Sequence, residues 1–232
     1  MPGSFYAKNI TPAGIGHWSD GELYRLITTG VTKKGEPIFP IMSYPSFWKM
    51  DSKDAVAVIA YIRSLHSIPN SVPASKADFP VNLIERTIPQ PAAPDTSDYI
   101  AYGKYLVTIA GCSDCHTPMV NGKYDMSRFL AGGNTFVLES GQEVRSCNIS
   151  PDTLSGIGIW SEAMFIKMFK RFDRPYDQIP SVSGTHPNTI MPWSAYSGMS
   201  VHDLKSMYSY LRTIKPERNV VEKFPGTMIA KK

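Results

Sequence analysis

Cysteine is scarce in this chain of 232 residues: there are three, an odd number, and two of them stand close together, which leaves Cys147 on its own. No stretch approaches the ~20 apolar residues of a membrane-spanning helix. The opening residues, Met1-Pro2-Gly3-Ser4-Phe5, do not have the charged start and apolar core of a signal peptide. Basic residues do not run together either. With 24 Lys and Arg against 20 Asp and Glu, the formal charge is only +4, so nothing supports a nucleic-acid partner. Strand signals are weak throughout. What is present is ordinary for a folded protein: 42% hydrophobic and 19% charged residues, and a length that suits one large or two small domains.

The two neighbouring cysteines lie in Cys112-Ser113-Asp114-Cys115-His116, a C-x-x-C-H sequence, the attachment signature of a c-type haem. On a helical turn, positions i, i+3 and i+4 share one face, so two thiols and an imidazole can meet one flat macrocycle. The sulfurs form thioethers with the vinyl groups and the histidine binds iron from one side. A redox disulfide would want a surrounding βαβ pattern, and a zinc site would want a second ligand pair; the sequence offers neither. One covalent haem c is therefore expected.

The chain also repeats itself. Asn9-Ile10-Thr11-Pro12 returns as Asn148-Ile149-Ser150-Pro151, and each copy leads into Gly-Ile-Gly-x-Trp-Ser, ending at Ser19 and Ser161. Ile41-Met42 matches Ile190-Met191, Met50 matches Met199, and Tyr61-Ile62-Arg63 matches Tyr210-Leu211-Arg212. The distance from Met42 to Tyr61 and from Met191 to Tyr210 is 19 residues in both copies. Capping signals mark the helices: Ser19 with Glu22, Asp51 with Asp54, Ser97 or Asp98, and Ser200 with Asp203. Helical spacing puts Val56, Ile59, Ala60 and Ile62 on one helix, Tyr99, Tyr102, Leu106 and Ile109 on a second, and Leu204, Met207, Tyr208 and Leu211 on a third. Between the copies, Pro69, Pro73, Pro80, Pro89, Pro91 and Pro94 forbid regular helix. The apolar Phe79, Val81, Leu83 and Ile84 suggest a strap over a domain surface rather than a free linker. The reading is all-α: residues 1–70 a partial domain, 71–96 a proline-rich connector, and 97–232 a complete domain with a tail.

Iron needs a second axial ligand. Met191 stands in a loop beside Pro192, outside any periodic apolar run, and a thioether there favours the reduced metal. The other methionines have structural explanations: Met199 and Met50 precede helix caps as staples, Met164, Met168 and Met207 suit helical cores, and Met119 is too near His116 to reach the opposite face. His186 and an open or water-bound position are the alternatives. Trp160 and Trp193 either lie at the haem edge, with an indole N–H toward a propionate, or pack in the core. Cys147 is expected to be a small buried residue; its counterpart in the first copy is Lys8, so no repeated chemistry is implied. His17, matched by Ile159, has no repeated role, and His66 and His202 are expected at the surface.

The order of these motifs resembles tandem class I c-type cytochromes. More closely, it is similar to the multihaem cytochrome c subunits of periplasmic alcohol and aldehyde dehydrogenases. The resemblance implies a fold of two cytochrome c-like helical domains, haem bound to Cys112 and Cys115, and iron held by His116 and Met191. It implies electron transfer as the function, with no catalytic residue in this chain. The partners would be redox proteins: a dehydrogenase, a quinol-oxidising complex or a terminal oxidase. The location would be the periplasm or the outer face of the cytoplasmic membrane, with any membrane tether upstream. A haem enzyme of the cytochrome c peroxidase type and a haem-binding sensor or scaffold are the rival functions. Two departures stand out. The segment Arg171 to Asn188 is longer than in the first copy and is expected to reshape the haem edge or a docking face. The first copy also has no C-x-x-C-H: Asn148 follows His116 by 32 residues, and the same distance before Asn9 falls outside the chain. Residues 1–70 are thus expected to be an N-terminally truncated domain, or less favourably one that lost its haem. Met42 would be the axial ligand of a first haem whose attachment motif is absent.

Overall fold

Short helices with polar caps build this chain, and a computed structural model describes residues 3–39, 42–78, 92–138, 141–175, 178 and 189–226. It divides into two units, Met1–Ala93 and Pro94–Lys232, with the break inside the expected connector.

In the first unit, Pro12 at the first helical position opens the single turn α1 (Pro12–Ile15). Ser19 then caps α2 (Asp20–Thr29) in a capping box. Its hydroxyl accepts from the Glu22 amide, and the Glu22 carboxylate accepts from the Ser19 amide at 2.8 Å. After the turn α3 (Tyr44–Phe47), Asp51 caps α4 (Ser52–Ser64) by accepting from the Lys53 amide at 2.7 Å. Leu23, Ile27 and Ile59 form the core, with Ile15, Trp18, Met42, Phe47 and Ile62 packed around it. The buried stripe of α4 is Ala55 and Ile59, with Ile62 at its edge; Val56 and Ala60, expected on it, are exposed. The stripe runs at i, i+4 and i+7 from Ala55, a residue small enough to be passed over in favour of its branched neighbour. Residues 68–77 return along the start of the chain: β1 (Gly3–Ser4) pairs antiparallel with β2 (Lys76–Ala77), and the Lys8 ammonium donates to the Pro73 carbonyl at 2.6 Å. The expected apolar anchors Phe79, Val81, Leu83 and Ile84 lie outside the described residues.

The second unit is organised by the crossing of α5 (Tyr99–Ile109) and α9 (Val201–Leu211). Asp98 caps α5, accepting from the amides of Ile100 and Ala101. Ser200 and Asp203 form the expected capping box on α9. The helices meet at Gly103, where a Cβ would lie 1.8 Å from the Ser206 carbonyl oxygen, so only glycine fits the crossing. Leu106, Val107, Leu204, Met207 and Leu211 are buried around it, each worth about 1.5–3 kcal/mol of apolar burial. Tyr99, placed on the buried stripe from its spacing, is instead 41% exposed, because the stripe of α5 turns to follow Gly103 and Val107. A third helix, α7 (Glu162–Lys170), is capped by Ser161 and buries Phe165 and Phe169 one turn apart. Met164 lies beside that face and is exposed, which corrects its expected place in a core. Two short antiparallel ribbons, β3 (Met119–Val120) with β4 (Lys123–Tyr124) and β5 (Thr135–Val137) with β6 (Glu143–Arg145), complete a mostly helical chain.

The repeated sequences fold into the same local devices. Asn9 donates from Nδ2 to the Ile68 carbonyl at 2.8 Å and accepts from the Thr11 amide; Asn148 donates to the Glu217 carbonyl at 2.7 Å and accepts from the Ser150 amide. Arg63 and Arg212 each donate to a carbonyl of the glycine turn, at Gly16 and Gly158. Each side chain thus ties the Asn-Ile-x-Pro segment or the turn after it to the end of α4 or α9 or to the chain just past it.

Candidate haem site

Cys112, Cys115 and His116 lie together on one turn, α6 (Cys112–His116), which follows α5 after Gly111. The spacing i, i+3, i+4 places all three on one side of it. Both thiols are held neutral: burial, with the nearby Asp114 carboxylate adding to it, pushes the Cys112 thiol up to about 12 and raises Cys115 as well. Among the described residues no cluster of three His, Cys, Asp or Glu is placed to hold a metal ion.

The imidazole is fixed by its outer nitrogen. His116 Nδ1 lies 2.7 Å from the Cys147 carbonyl oxygen. A carbonyl only accepts, so Nδ1 carries the proton and Nε2 presents its lone pair. Burial lowers the pKa of His116 while this hydrogen bond opposes the shift, so the ring is neutral at physiological pH. Two thiols on one face and an imidazole whose free nitrogen is a donor to metal form a set that fits a covalently attached haem.

The surroundings brace this turn. Thr117 is fully buried and its hydroxyl accepts from the Leu130 amide. Leu130 is itself fully buried with φ of 61°, a left-handed conformation that a bulky residue rarely takes. Asn134 donates from Nδ2 to the carbonyls of Cys115 at 3.0 Å and Thr117 at 2.7 Å. Gly132 donates its amide to the His116 carbonyl at 2.6 Å. The Tyr196 hydroxyl donates to the Ala110 carbonyl at 2.8 Å; burial, with Cys112, Cys115 and Asp114 nearby, raises its pKa.

The remaining candidates have these places. Met191 is half-buried in the turn before α8 (Trp193–Tyr196), its amide donating to the Thr189 hydroxyl. Trp193 is half-buried in an aromatic group, 5.4 Å from Phe169 edge-on and 5.5 Å from Phe172 in a stack. The Trp160 carbonyl accepts from the Tyr208 hydroxyl at 2.7 Å. Met42 packs against the core of the first unit. His186 lies outside the described residues, as does most of the long segment Arg171 to Asn188. His17 and His66 are exposed. His202 is half-buried beneath the Tyr99 and Tyr102 rings, with Nε2 2.9 Å from the Thr96 carbonyl, which corrects its expected place at the surface.

Cys147 corrects a further expectation. Its side chain is exposed, and the part that matters is its backbone. The side chain faces outward while the carbonyl meets His116. No side-chain signal announces a backbone acceptor, and Lys8 in the first copy gave no hint of it. Gly132 and Asn134 were also missed; the adjacent glycines of Leu130-Ala131-Gly132-Gly133-Asn134, between the haem motif and the repeat, were the available signal.

No family model matches the chain. Several of its relatives are described as cytochrome subunits of dehydrogenases. It is 29% identical over 235 residues to "Alcohol dehydrogenase (quinone), cytochrome c subunit" of Gluconacetobacter polyoxogenes, covering 92% of this chain and 48% of that protein. It is 29% identical over 234 residues to "Gluconate 2-dehydrogenase cytochrome c subunit" of Pantoea cypripedii, covering 91% and 51%. It is 26% identical over 187 residues to "Fructose dehydrogenase cytochrome subunit" of Gluconobacter japonicus, covering 72% and 37%. The chain spans about half the length, or less, of these curated relatives.

Proposed function

We infer that this chain, a homologue of the cytochrome c subunits of dehydrogenases, is an electron carrier with one haem c attached through Cys112 and Cys115. The single observation that carries the reading is the α6 turn, where two neutral thiols share a face with an imidazole whose Nδ1–H is already taken by the Cys147 carbonyl. When bound, the haem supplies a one-electron couple between Fe(II) and Fe(III). The protein's part is to hold and tune it. His116 offers Nε2 from one side, and we assign Met191 to the other, because it is a loop methionine without a helical-core role. A soft thioether stabilises Fe(II), and two protein ligands leave no open position for substrate chemistry.

Two cytochrome c-like domains, 1–70 and 97–232, with 71–96 as connector, are the organisation that the repeated devices support. The partners are redox proteins on the periplasmic side: a dehydrogenase or a quinol-oxidising complex as donor, or a terminal oxidase as acceptor. No helix of the described residues is long and apolar enough to cross a membrane.

The test is to produce this chain in a host with an active haem-attachment pathway and measure intact mass and pyridine haemochrome. One haem per chain is expected, and none after Cys112→Ala with Cys115→Ala. The ferrous protein should not bind CO rapidly at neutral pH; Met191→Ala should, with a lowered reduction potential. A wild-type chain without covalent haem, with two haems, or with rapid CO binding sinks the proposal.

A further inference from the structure

Three consecutive carbonyls at the end of the haem-attachment turn are taken up by one short segment. Cys115 and Thr117 are bound by the Asn134 side chain and His116 by the Gly132 amide. The same segment holds the strand that supplies the partner of His116. Gly133 donates its amide to the Ser146 carbonyl at 2.8 Å, the Asn134 amide donates to the Ser146 hydroxyl at 3.1 Å, and the Ser146 amide donates to the Asn134 carbonyl at 3.0 Å. Asn134 also accepts from the Met119 amide at 2.9 Å through Oδ1. One side of residues 132–134 thus grips the peptide units of the ligand, and the other grips the residue before Cys147.

Gly132 stands where these two sides are closest. Its φ is +71°, and a Cβ there would lie 2.4 Å from both the carbon and the oxygen of the Cys147 carbonyl. That is the carbonyl that accepts from His116 Nδ1. Backbone cannot step aside as a flexible side chain can, so any residue larger than glycine displaces the acceptor.

We propose that Gly132 and Asn134 are positioning residues for the iron ligand: they set the length and direction of the hydrogen bond from His116 to the Cys147 carbonyl, and through it the reduction potential. The inference rests on the haem reading above. A strong Nδ1–H···O bond makes the imidazole a more basic ligand, which favours Fe(III). Displacing the acceptor weakens the bond and raises the potential. Asn134 acts from the other end, by keeping the last carbonyls of α6 satisfied so that the ring is presented in one orientation.

The experiment uses the holoprotein and three variants. Gly132→Ala moves a Cβ into the Cys147 carbonyl. Gly122→Ala is its control: φ there is +75°, so alanine is strained as well, but nothing lies within 4 Å of the Cβ. Asn134→Ala removes the two donors without adding bulk. Reduction potential is measured by spectroelectrochemical titration, and the Nδ1–H resonance of His116 by NMR of the reduced protein. Gly132→Ala should raise the potential and move that resonance toward weaker hydrogen bonding. Asn134→Ala should do the same to a lesser degree, and it decides the matter if Gly132→Ala does not fold. Gly122→Ala should lose stability while both readouts stay at the wild-type values. The proposal is overturned if the folded Gly132 and Asn134 variants keep the wild-type potential and resonance, or if Gly122→Ala shifts them equally. A wild-type chain that takes up no covalent haem overturns the haem reading instead, and haemochrome analysis of the same samples tells the two failures apart.

Discussion

The two units use the same fittings around different centres. Asn9 and Asn148 hold matching carbonyls six residues past Ile62 and Leu211, Arg63 and Arg212 hold the matching glycine turns, and Ser19 and Ser161 cap the helix that follows. In the first unit these fittings surround Leu23, Ile27 and Ile59, and Met42 packs on that core. In the second, helix α5 and the turn α6 come first in the chain, and the frame is closed by α5 crossing α9. What distinguishes the units is therefore the helix pair and its histidine turn, not the repeated frame. The crossing is the place where the difference can be broken most severely. Gly103→Ala should destabilise the second unit by about 3 kcal/mol, the upper part of the usual overpacking range, because the new Cβ meets the Ser206 backbone. Chemical denaturation followed by far-UV circular dichroism would show it; a loss under about 0.5 kcal/mol would mean that the helices cross with more room than this.

The paired methionines sharpen the comparison. Met42→Ala should cost about 2 kcal/mol, the low end for methionine truncation, because Met42 packs on the first core yet is only partly buried. It should leave the absorption spectrum of the haem-loaded chain unchanged. Met191→Ala should change the spectrum with a smaller loss of stability. If Met42→Ala altered the spectrum and Met191→Ala did not, the assignment of roles to the two loops would be reversed.

The paired asparagines give a finer test, since one device sits at two depths. Asn148 is only 4% exposed, and Asn9 is half-buried. Loss of Asn148 leaves the Ser150 amide without its acceptor and the Glu217 carbonyl with the Ser150 hydroxyl alone, away from water, so Asn148→Ala should cost about 2–3 kcal/mol. Asn9→Ala, where water can replace the lost bonds, should cost about 1 kcal/mol. Equal losses in thermal denaturation would show that burial does not separate the two copies.

How much of this was legible in the sequence follows from how local each feature is. The capping boxes at Ser19 and Ser200, the Asp98 cap and the histidine turn depend on residues three or four apart, and each was readable. The repeat was readable because it is a comparison of the chain with itself. Hydrophobic stripes were read one position wrong where a small residue took the buried place, at Ala55 and Gly103. Beyond reach were the features that join distant segments through backbone atoms. The Cys147 carbonyl on His116, 31 residues apart, and the Asn134 side chain on Cys115, 19 apart, depend on how a loop returns. Residue identity says little about that. The adjacent glycines at 132 and 133 were its only trace.

The smallest expected effect concerns the last difference between the frames, the caps of the closing helices. Asp51 caps α4 where Ser200 caps α9. Asp51 accepts from the Ala93 and Lys53 amides, and these hydrogen bonds hold its carboxyl below the usual carboxylate value. The contribution is full above the ordinary carboxylate range and is lost as the pH falls through the lowered folded value, because protonation removes the acceptor charge. The Ser200 hydroxyl does not titrate in this range. An NMR pH titration from 6 to 2 should move the amide resonances of Lys53 and Ala93 together, with a shared midpoint below the ordinary aspartate value. Asp51→Asn keeps an acceptor at the cap, so it should abolish that transition while α4 remains capped. If the Lys53 amide still titrated in Asp51→Asn with an unchanged midpoint, the transition would belong to another carboxylate, and the cap would not be the source of the acid sensitivity of α4.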